Sequence, residues 1–163
     1  MREPFADVIA ANAEYARAFP LRGLPSRPAK RLVVLTCMDT RIDPLAMLGL
    51  SPGDAKILRN AGARVNDDVL AGLVVARYLL GVERAMVVGH TDCRMGAASA
   101  DELHDAIAAA GGPDTRGLSF AVGAGRAQMV RDDVQRIRSS PYLDGLEAEG
   151  FVYDVETGLL GRV

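Results

Sequence analysis

Three side chains that can bind a soft or borderline metal ion stand in two short segments of the sequence. Cys37 opens Cys37-Met-Asp-Thr-Arg41, and His90 and Cys93 lie in Gly89-His-Thr-Asp-Cys93. The His-x-x-Cys spacing lets both side chains reach one ion, and Cys37 supplies a third donor. Two cysteines and one histidine with an open fourth position form a known catalytic zinc arrangement. We therefore expect one Zn²⁺ ion bound by Cys37, His90 and Cys93.

Each of these residues also has an ordinary structural interpretation. Free cysteine is often a small buried apolar residue, which would account for Cys37 and Cys93 without any metal. His90 taken alone would be a histidine whose ring is hydrogen-bonded at the end of a strand. The coincidence of the three residues, each following an apolar run, favours the metal site.

Asp39 and Arg41 follow Cys37 at intervals of two residues, so an extended backbone places their side chains on one side. Two thiolates cancel the formal charge of Zn²⁺, and a bound water is then acidified less than by three neutral histidines. Asp39 can accept a hydrogen bond from the nucleophile and orient it, while Arg41 holds Asp39 in a bidentate pair off the metal. The alternative is a surface ion pair of little energetic value.

Other polar and sulfur-containing residues are assigned no place in the site. Asp92 is expected to face solvent, with support of a metal ligand as the alternative. His104, in the polar helical stretch 101–105, is expected to be solvated, with proton transfer to bulk water as the alternative. The methionines, Met38 and Met129 among them, are interpreted as core or gap fillers, because such sites rarely use thioethers.

Continuous apolar runs precede the candidate ligands and predict strands covered on both faces of a parallel sheet. Strands are predicted at residues 31–37, 55–59 and 85–89, with a terminal strand and hairpin at 151–155 and 159–163. Helices are predicted at 5–19, 67–80, about 97–110 and 121–137. This alternation predicts an α/β fold with a mainly parallel sheet flanked by helices, and ligands bind beyond the carboxyl ends of such strands. If the first and third strands are neighbours, the candidate ligands meet at one crevice.

The length, composition and charge of the chain indicate the number of domains and argue against some classes of binding partner. A chain of 163 residues, 49% hydrophobic and 25% charged, fits one domain over 1–163, in which 1–28 form an N-terminal helix and extended arm. The net charge of −2 without a basic run argues against nucleic acid. No apolar stretch approaches the roughly 20 residues that span a bilayer, and the N-terminus lacks a secretory signal, so we expect a cytoplasmic protein without a membrane partner.

Three motifs resemble those of the β-class carbonic anhydrases, in the same order and at similar intervals. They are Cys37-Met-Asp-Thr-Arg41, Arg59-Asn-Ala-Gly62 and Gly89-His-Thr-Asp-Cys93. The chain looks most similar to the short bacterial and mycobacterial-type members. The resemblance implies about four parallel strands extended by a C-terminal strand, and a homodimer or higher homo-oligomer in which the N-terminal helix reaches over the partner. It also implies a strand-end turn near the metal, where the last glycine of the second motif allows close backbone approach.

The same resemblance implies a role for each candidate residue. Zinc would be held by Cys37, His90 and Cys93, and Asp39 and Arg41 would form a catalytic dyad. The implied activity is that of a lyase: reversible hydration of carbon dioxide to bicarbonate and a proton, by a zinc-bound hydroxide that the dyad orients. The small-molecule substrate would be carbon dioxide or bicarbonate.

The sequence departs from the family's motifs at two positions, and it is compatible with two other functions. Arg94 stands where the family usually has glycine, and it would be strained if that position required a positive φ; Thr40 replaces the commoner serine or alanine. One alternative is hydrolysis of carbonyl sulfide or carbon disulfide on the same zinc site. The other is a non-catalytic zinc-binding module in which Asp39 closes the fourth position. We also predict a pH-gated form of that closure, in which Asp39 leaves Arg41 at lower pH.

Overall fold

A five-stranded sheet carries the motifs in the computed structural model, which describes residues 3–123 and 125–163. The strands are β1 (Leu32–Cys37), β2 (Ala55–Asn60), β3 (Arg84–His90), β4 (Glu147–Tyr153) and β5 (Leu160–Arg162). Their order across the sheet is β2-β1-β3-β4-β5, with the first four parallel and β5 antiparallel to β4. The predicted α/β class, with four parallel strands and one C-terminal strand, is confirmed.

Within the described residues four α-helices accompany the sheet, and three of them begin later than predicted. They are α1 (Ala6–Arg17), α2 (Asp67–Leu79), α3 (Ala100–Ala109) and α4 (Arg126–Arg138). The start of α3 is fixed by a capping box, in which Ser99 and Glu102 each accept a hydrogen bond from the other's backbone N–H. The predicted helix 121–137 is wrong at its start, because Gly125 before α4 has φ 90°, outside the helical region. Ala124, like Met1 and Arg2 of the predicted arm, lies outside the described residues.

Both faces of the sheet are covered, which explains the uninterrupted apolar run of β1. All six residues of β1 are buried. Val33 and Leu35 pack with residues of α2 and α4 on one face. Val34 packs on the opposite face with a separate group that includes Val88 and Leu160. Burial on both faces is typical of a parallel strand in the middle of an α/β sheet.

The N-terminal helix α1 differs from the others, because none of its residues is buried. Its apolar side chains, and those just beside it, are exposed: Phe5, Val8, Ile9, Tyr15 and Phe19. Helices with an apolar stripe normally bury that stripe against another surface. Across the described residues, every helix is too short or too polar to cross a bilayer.

Candidate metal centre

The candidate metal ligands lie where two neighbouring strands end. Strands β1 and β3 pair directly in parallel, with Thr36 opposite Val88. Cys37 is the last residue of β1 and His90 is the last residue of β3, so both side chains leave the same edge of the sheet. Cys93 follows in the loop after β3. One ligand atom from each of Cys37, His90 and Cys93 lies within 4.8 Å of the other two, and all three residues are buried.

The ring of His90 is oriented by its own loop. Nδ1 lies 2.8 Å from the carbonyl oxygen of Thr91, which can only accept, so Nδ1 carries the proton and donates it. Nε2 is then left with a lone pair. It is buried and has no hydrogen-bond partner among the described residues. A buried, unpartnered nitrogen lone pair next to two thiols is the arrangement expected of a metal-binding histidine.

The two cysteine thiols form an asymmetric pair. A hydrogen bond from Cys93 holds the pKa of the Cys37 thiol well below its ordinary value, and the backbone N–H of Gly62 also donates to Cys37 Sγ, at 3.3 Å. The same thiol-thiol bond, together with burial, raises the pKa of Cys93. Cys37 is therefore the more readily ionised of the two thiols. A divalent cation binds cysteines as thiolates, and the Cys₂His donor set fits zinc.

Asp39 and Arg41 form the bidentate pair that the spacing predicts. Arg41 Nε donates to Asp39 Oδ1 at 3.0 Å and Nη2 donates to Oδ2 at 2.8 Å, and the Arg41 backbone N–H donates to Oδ1 at 2.9 Å. These bonds hold the pKa of the Asp39 carboxyl well below its usual range, so it is ionised at neutral pH. Its Oδ2 lies 3.9 Å from His90 Nε2. An ionised carboxylate therefore borders the ligand cluster.

The motif Arg59-Asn-Ala-Gly62 supports this crevice from strand β2. Arg59 Nε donates to the carbonyl oxygen of Cys37 at 2.9 Å, and Arg59 Nη2 donates to that of Asp39 at 2.6 Å. Gly62 has φ 82°, and a Cβ at that position would lie 2.9 Å from Met95 Cβ. The motif is thus a strand-end turn with close backbone approach, as the resemblance implies. The hydrogen bonds of Arg59 were not foreseen, because nothing in its sequence position reveals which carbonyl groups it reaches.

Asp92 is exposed as expected, yet it has a partner that the sequence does not reveal. Arg41 Nη1 donates to Asp92 Oδ2 at 2.8 Å, and Arg41 Nη2 donates to the Asp92 carbonyl oxygen at 3.2 Å. Arg94 is not strained: the described non-glycine residues with positive φ are Arg31, Ala63 and Asp92. Arg94 instead begins a short 3₁₀ turn and its side chain is exposed.

Two expectations about other residues are wrong. His104 is buried, since Nδ1 lies 2.8 Å from Thr115 Oγ1 and its ring lies 5.0 Å from that of Phe120. The loop after α3 folds back over this histidine, which a local pattern cannot show. Met38 is 63% exposed and does not fill the core, because it follows the last buried residue of β1. Met129 is buried as expected.

Comparisons with known proteins agree with this geometry. Residues 32–112 match the carbonic anhydrase family. The chain is 36% identical over 161 residues to β-carbonic anhydrase 1 of Mycobacterium tuberculosis, which covers 96% of each chain. It is similar to the crystal structure of carbonic anhydrase from Streptococcus mutans, with a TM-score of 0.91 and 34% identity over 100% of this chain and 99% of the other.

A carbon disulfide hydrolase of Saccharolobus solfataricus is also similar, with 40% identity over 83 residues that span 51% of this chain and 40% of the relative. The similarity to the mycobacterial protein, in contrast, extends over nearly the full length of both proteins. Sequence, sheet order and site geometry therefore agree, and the chain belongs to the β-carbonic anhydrase family.

Proposed function

We propose that the protein is a zinc-dependent lyase that interconverts carbon dioxide with bicarbonate and a proton. One observation carries this proposal: the buried donor set of Cys37, His90 and Cys93 lies beside a carboxylate that Arg41 holds ionised. A purely structural Cys₂His cluster would have no use for such a carboxylate. The arrangement is that of a site prepared to bind a metal and act on a small electrophile.

Cys37, His90 and Cys93 would hold the ion. Zn²⁺ bound by two sulfurs and one nitrogen would supply Lewis acidity that makes water nucleophilic near neutral pH. The unpartnered Nε2 of His90 and the lowered pKa of the Cys37 thiol support this assignment. Three protein donors leave one position of a tetrahedral ion for the reaction.

Asp39 and Arg41 would direct the chemistry. The Asp39 carboxylate accepts a hydrogen bond from the attacking water and so orients it towards the carbon of the substrate. Arg41 occupies both carboxylate oxygens, which keeps Asp39 ionised and away from the three ligands. In this paired state Asp39 Oδ2 already lies 3.9 Å from His90 Nε2, so a carboxylate released by Arg41 would be free to turn towards the metal position.

Arg41→Ala is the direct test of this dyad. We expect the variant to keep one zinc per chain, because Arg41 contacts none of the three ligand side chains through its hydrogen bonds. Its kcat/KM for carbon dioxide hydration should fall by about 100-fold, the loss typical of a misplaced catalytic group. Stopped-flow hydration and elemental analysis measure the two quantities on the same preparation.

The matched control is Arg131→Ala, since Arg131 lies on α4 and hydrogen-bonds only Gln128 among the described side chains. This variant should keep wild-type activity. Full activity in Arg41→Ala would exclude the dyad. A wild-type protein that is fully loaded with zinc and still inactive would exclude the proposed reaction.

Hydrolysis of carbon disulfide or carbonyl sulfide is a second candidate, supported by the similar carbon disulfide hydrolase. Both substrates present an electrophilic carbon to the same nucleophile, so the described site does not distinguish them. A panel of carbon dioxide, carbonyl sulfide and carbon disulfide, with released sulfide as the readout for the latter two, decides the assignment. A higher kcat/KM for a sulfur substrate would replace hydration as the principal activity.

A closed, non-catalytic zinc module is the remaining alternative. It requires Asp39 to give up the three hydrogen bonds from Arg41 and to become the fourth ligand. We predict this exchange at lower pH, and zinc-edge absorption spectroscopy reports the ligand set directly. An unchanged set of ligands from acid to alkaline pH would contradict the switch.

Assembly and location are parts of the same proposal. We expect one zinc-binding domain over 1–163 and a homodimer or higher homo-oligomer, supported by the exposed apolar side chains of α1. Analytical ultracentrifugation of the full chain and of an Ile9→Asp variant tests the assembly, and the variant should dissociate. The free thiols of Cys37 and Cys93 support a cytoplasmic location, which cell fractionation would test.

A further inference from the structure

We propose that Asp92 is a positioning residue of the site: it holds Arg41 in the orientation in which Arg41 holds Asp39. The proposal rests on the proposed carbonic anhydrase function. Asp92 lies in the loop between two ligands, His90 and Cys93, but is not itself one of the clustered donors. It would therefore act through Arg41 and not on the metal.

The hydrogen bonds of Arg41 are the first evidence. On one edge its guanidinium binds both carboxylate oxygens of Asp39. On the other edge Nη1 binds the Asp92 carboxylate and Nη2 binds the Asp92 carbonyl oxygen. All three guanidinium nitrogens are thus engaged, and the planar group is fixed from two directions. Without Asp92 the guanidinium keeps only the Asp39 pair, and the two side chains are free to move together.

The position of Asp92 in the fold is the second piece of evidence. Arg41 lies in the loop after β1, whereas Asp92 lies in the loop after β3, so their contact joins the loops that follow the two strands ending in Cys37 and His90. The second loop is itself anchored, because Thr91 N donates to the Tyr153 carbonyl and Thr91 Oγ1 accepts from Val155 N. The contact with Asp92 therefore connects Arg41, through the neighbouring Thr91, to the end of strand β4.

The backbone of Asp92 is the third piece of evidence. Its φ is 55°, in the left-handed region that aspartate tolerates better than most residues but that still carries a cost. In this conformation both the side chain and the carbonyl oxygen of Asp92 reach Arg41. Unfavourable backbone geometry that is kept beside a functional site is consistent with a positioning role.

Stability alone does not explain this contact. The side chains of Arg41 and Asp92 are 43% and 80% exposed, and ion pairs this open to solvent contribute little to folding. A merely structural surface pair would therefore leave activity unchanged when removed. A positioning residue would lower activity while the fold and the metal stay in place, and this difference makes the proposal testable.

Asp92→Asn and Asp92→Gly in the full zinc-loaded protein provide the test. Asparagine keeps the left-handed backbone and loses the charge, and glycine removes the side chain without backbone strain. We expect kcat/KM for carbon dioxide hydration to fall about three- to tenfold in Asp92→Asn and at least as far in Asp92→Gly. Zinc content and the thermal midpoint should match those of wild type. Asp144→Asn, which removes an exposed charge elsewhere, is the control and should be fully active.

A double-mutant cycle with Arg41→Ala separates positioning from any other role. If Asp92 acts through Arg41, Asp92→Asn changes kcat/KM less than about twofold in the Arg41→Ala background. An equal fall in both backgrounds, loss of zinc in the Asp92 variants, or full activity of both single variants would overturn the proposal. Each of these outcomes requires a wild-type protein that is active. Failure of the proposed function is a different result, because the zinc-loaded wild type itself would then be inactive.

Discussion

Gly62→Ala tests whether the close approach of two loops holds the metal crevice together. Gly62 has φ 82°, and an added Cβ would lie 2.9 Å from Met95 Cβ and 3.3 Å from Met95 Cγ. Alanine in the left-handed region costs about 1–2 kcal/mol. Overpacking of a tight contact adds roughly 1–3 kcal/mol, because Met95 belongs to the turn that follows Cys93 and must shift. We therefore expect Gly62→Ala to lower the free energy of unfolding by about 2–5 kcal/mol.

Gly62 also contacts Cys37, a proposed zinc ligand, so we expect the zinc affinity to fall as well. Its N–H donates to Cys37 Sγ at 3.3 Å, and a displaced turn lengthens or breaks that bond. Loss of an interaction that orients a ligand typically weakens metal affinity by about 10- to 100-fold. Competition with a chelator of known affinity measures the change. Urea unfolding at fixed protein and zinc concentration measures the loss of stability.

Gly81→Ala is the matched control. Gly81 has φ 70°, yet nothing lies within 4 Å of its added Cβ, so this variant carries only the backbone cost. A Gly62→Ala loss no larger than that of Gly81→Ala, with unchanged zinc affinity, would refute the steric reasoning. A second substitution at Met95 separates the two costs. Met95→Gly removes both overlapping atoms and should relieve the steric part of the Gly62→Ala loss, whereas Met95→Ala leaves the 2.9 Å contact with Cβ in place.

Three further predictions concern the metal and pH. Cys93→Ser should lose bound zinc while wild type retains one per chain, as measured by elemental analysis; stoichiometric zinc in the variant would remove Cys93 from the ligand set. Chelation of wild type should abolish activity but leave the far-ultraviolet circular dichroism unchanged, and loss of that signal would contradict a preformed site. Burial raises the pKa of Asp133 despite its ion pair with Arg64, so this group binds a proton more readily in the folded state. The free energy of unfolding of wild type relative to Asp133→Asn should therefore fall as pH rises from about 4 through the raised pKa, and a flat difference in urea titrations would refute this.

The sheet could be predicted because its signals are local. The apolar runs of β1 and β3 are buried on both faces, and a short continuous run is sufficient to indicate such strands. Parallel strands place their carboxyl ends at one edge of the sheet. Because β1 and β3 are neighbours, Cys37, His90 and Cys93 lie close together at that edge. The start of α4 was not predictable in the same way, because the apolar pattern continues across residues that the backbone does not keep helical.

The supporting contacts of the site could not be predicted, since each joins residues far apart in sequence. Arg59 reaches the carbonyl groups of Cys37 and Asp39, and Arg41 reaches Asp92 across a span of 51 positions. The spacing of Asp39 and Arg41 was informative because both lie on one short segment. For Asp92 the sequence indicates only an acidic residue beside the candidate ligand Cys93. That pattern is equally expected of a residue without a functional role.

The ligand cluster lies apart from the two groups of residues that pack on the faces of the sheet. Cys37 and Cys93 pack with Ile42 in a third buried group, while the buried members of the other two groups are aliphatic side chains. Several bonds already fix the crevice: Gly62 to Cys37, Arg59 to the strand end, and Arg41 to the second ligand loop. If these bonds order the loops, a metal bound by the proposed ligands would cost little further loop ordering, and its binding free energy would be available for affinity and for chemistry. A zinc finger differs, because there metal binding drives folding, whereas the hydrogen bonds of this crevice predict that the protein keeps its fold when metal is removed.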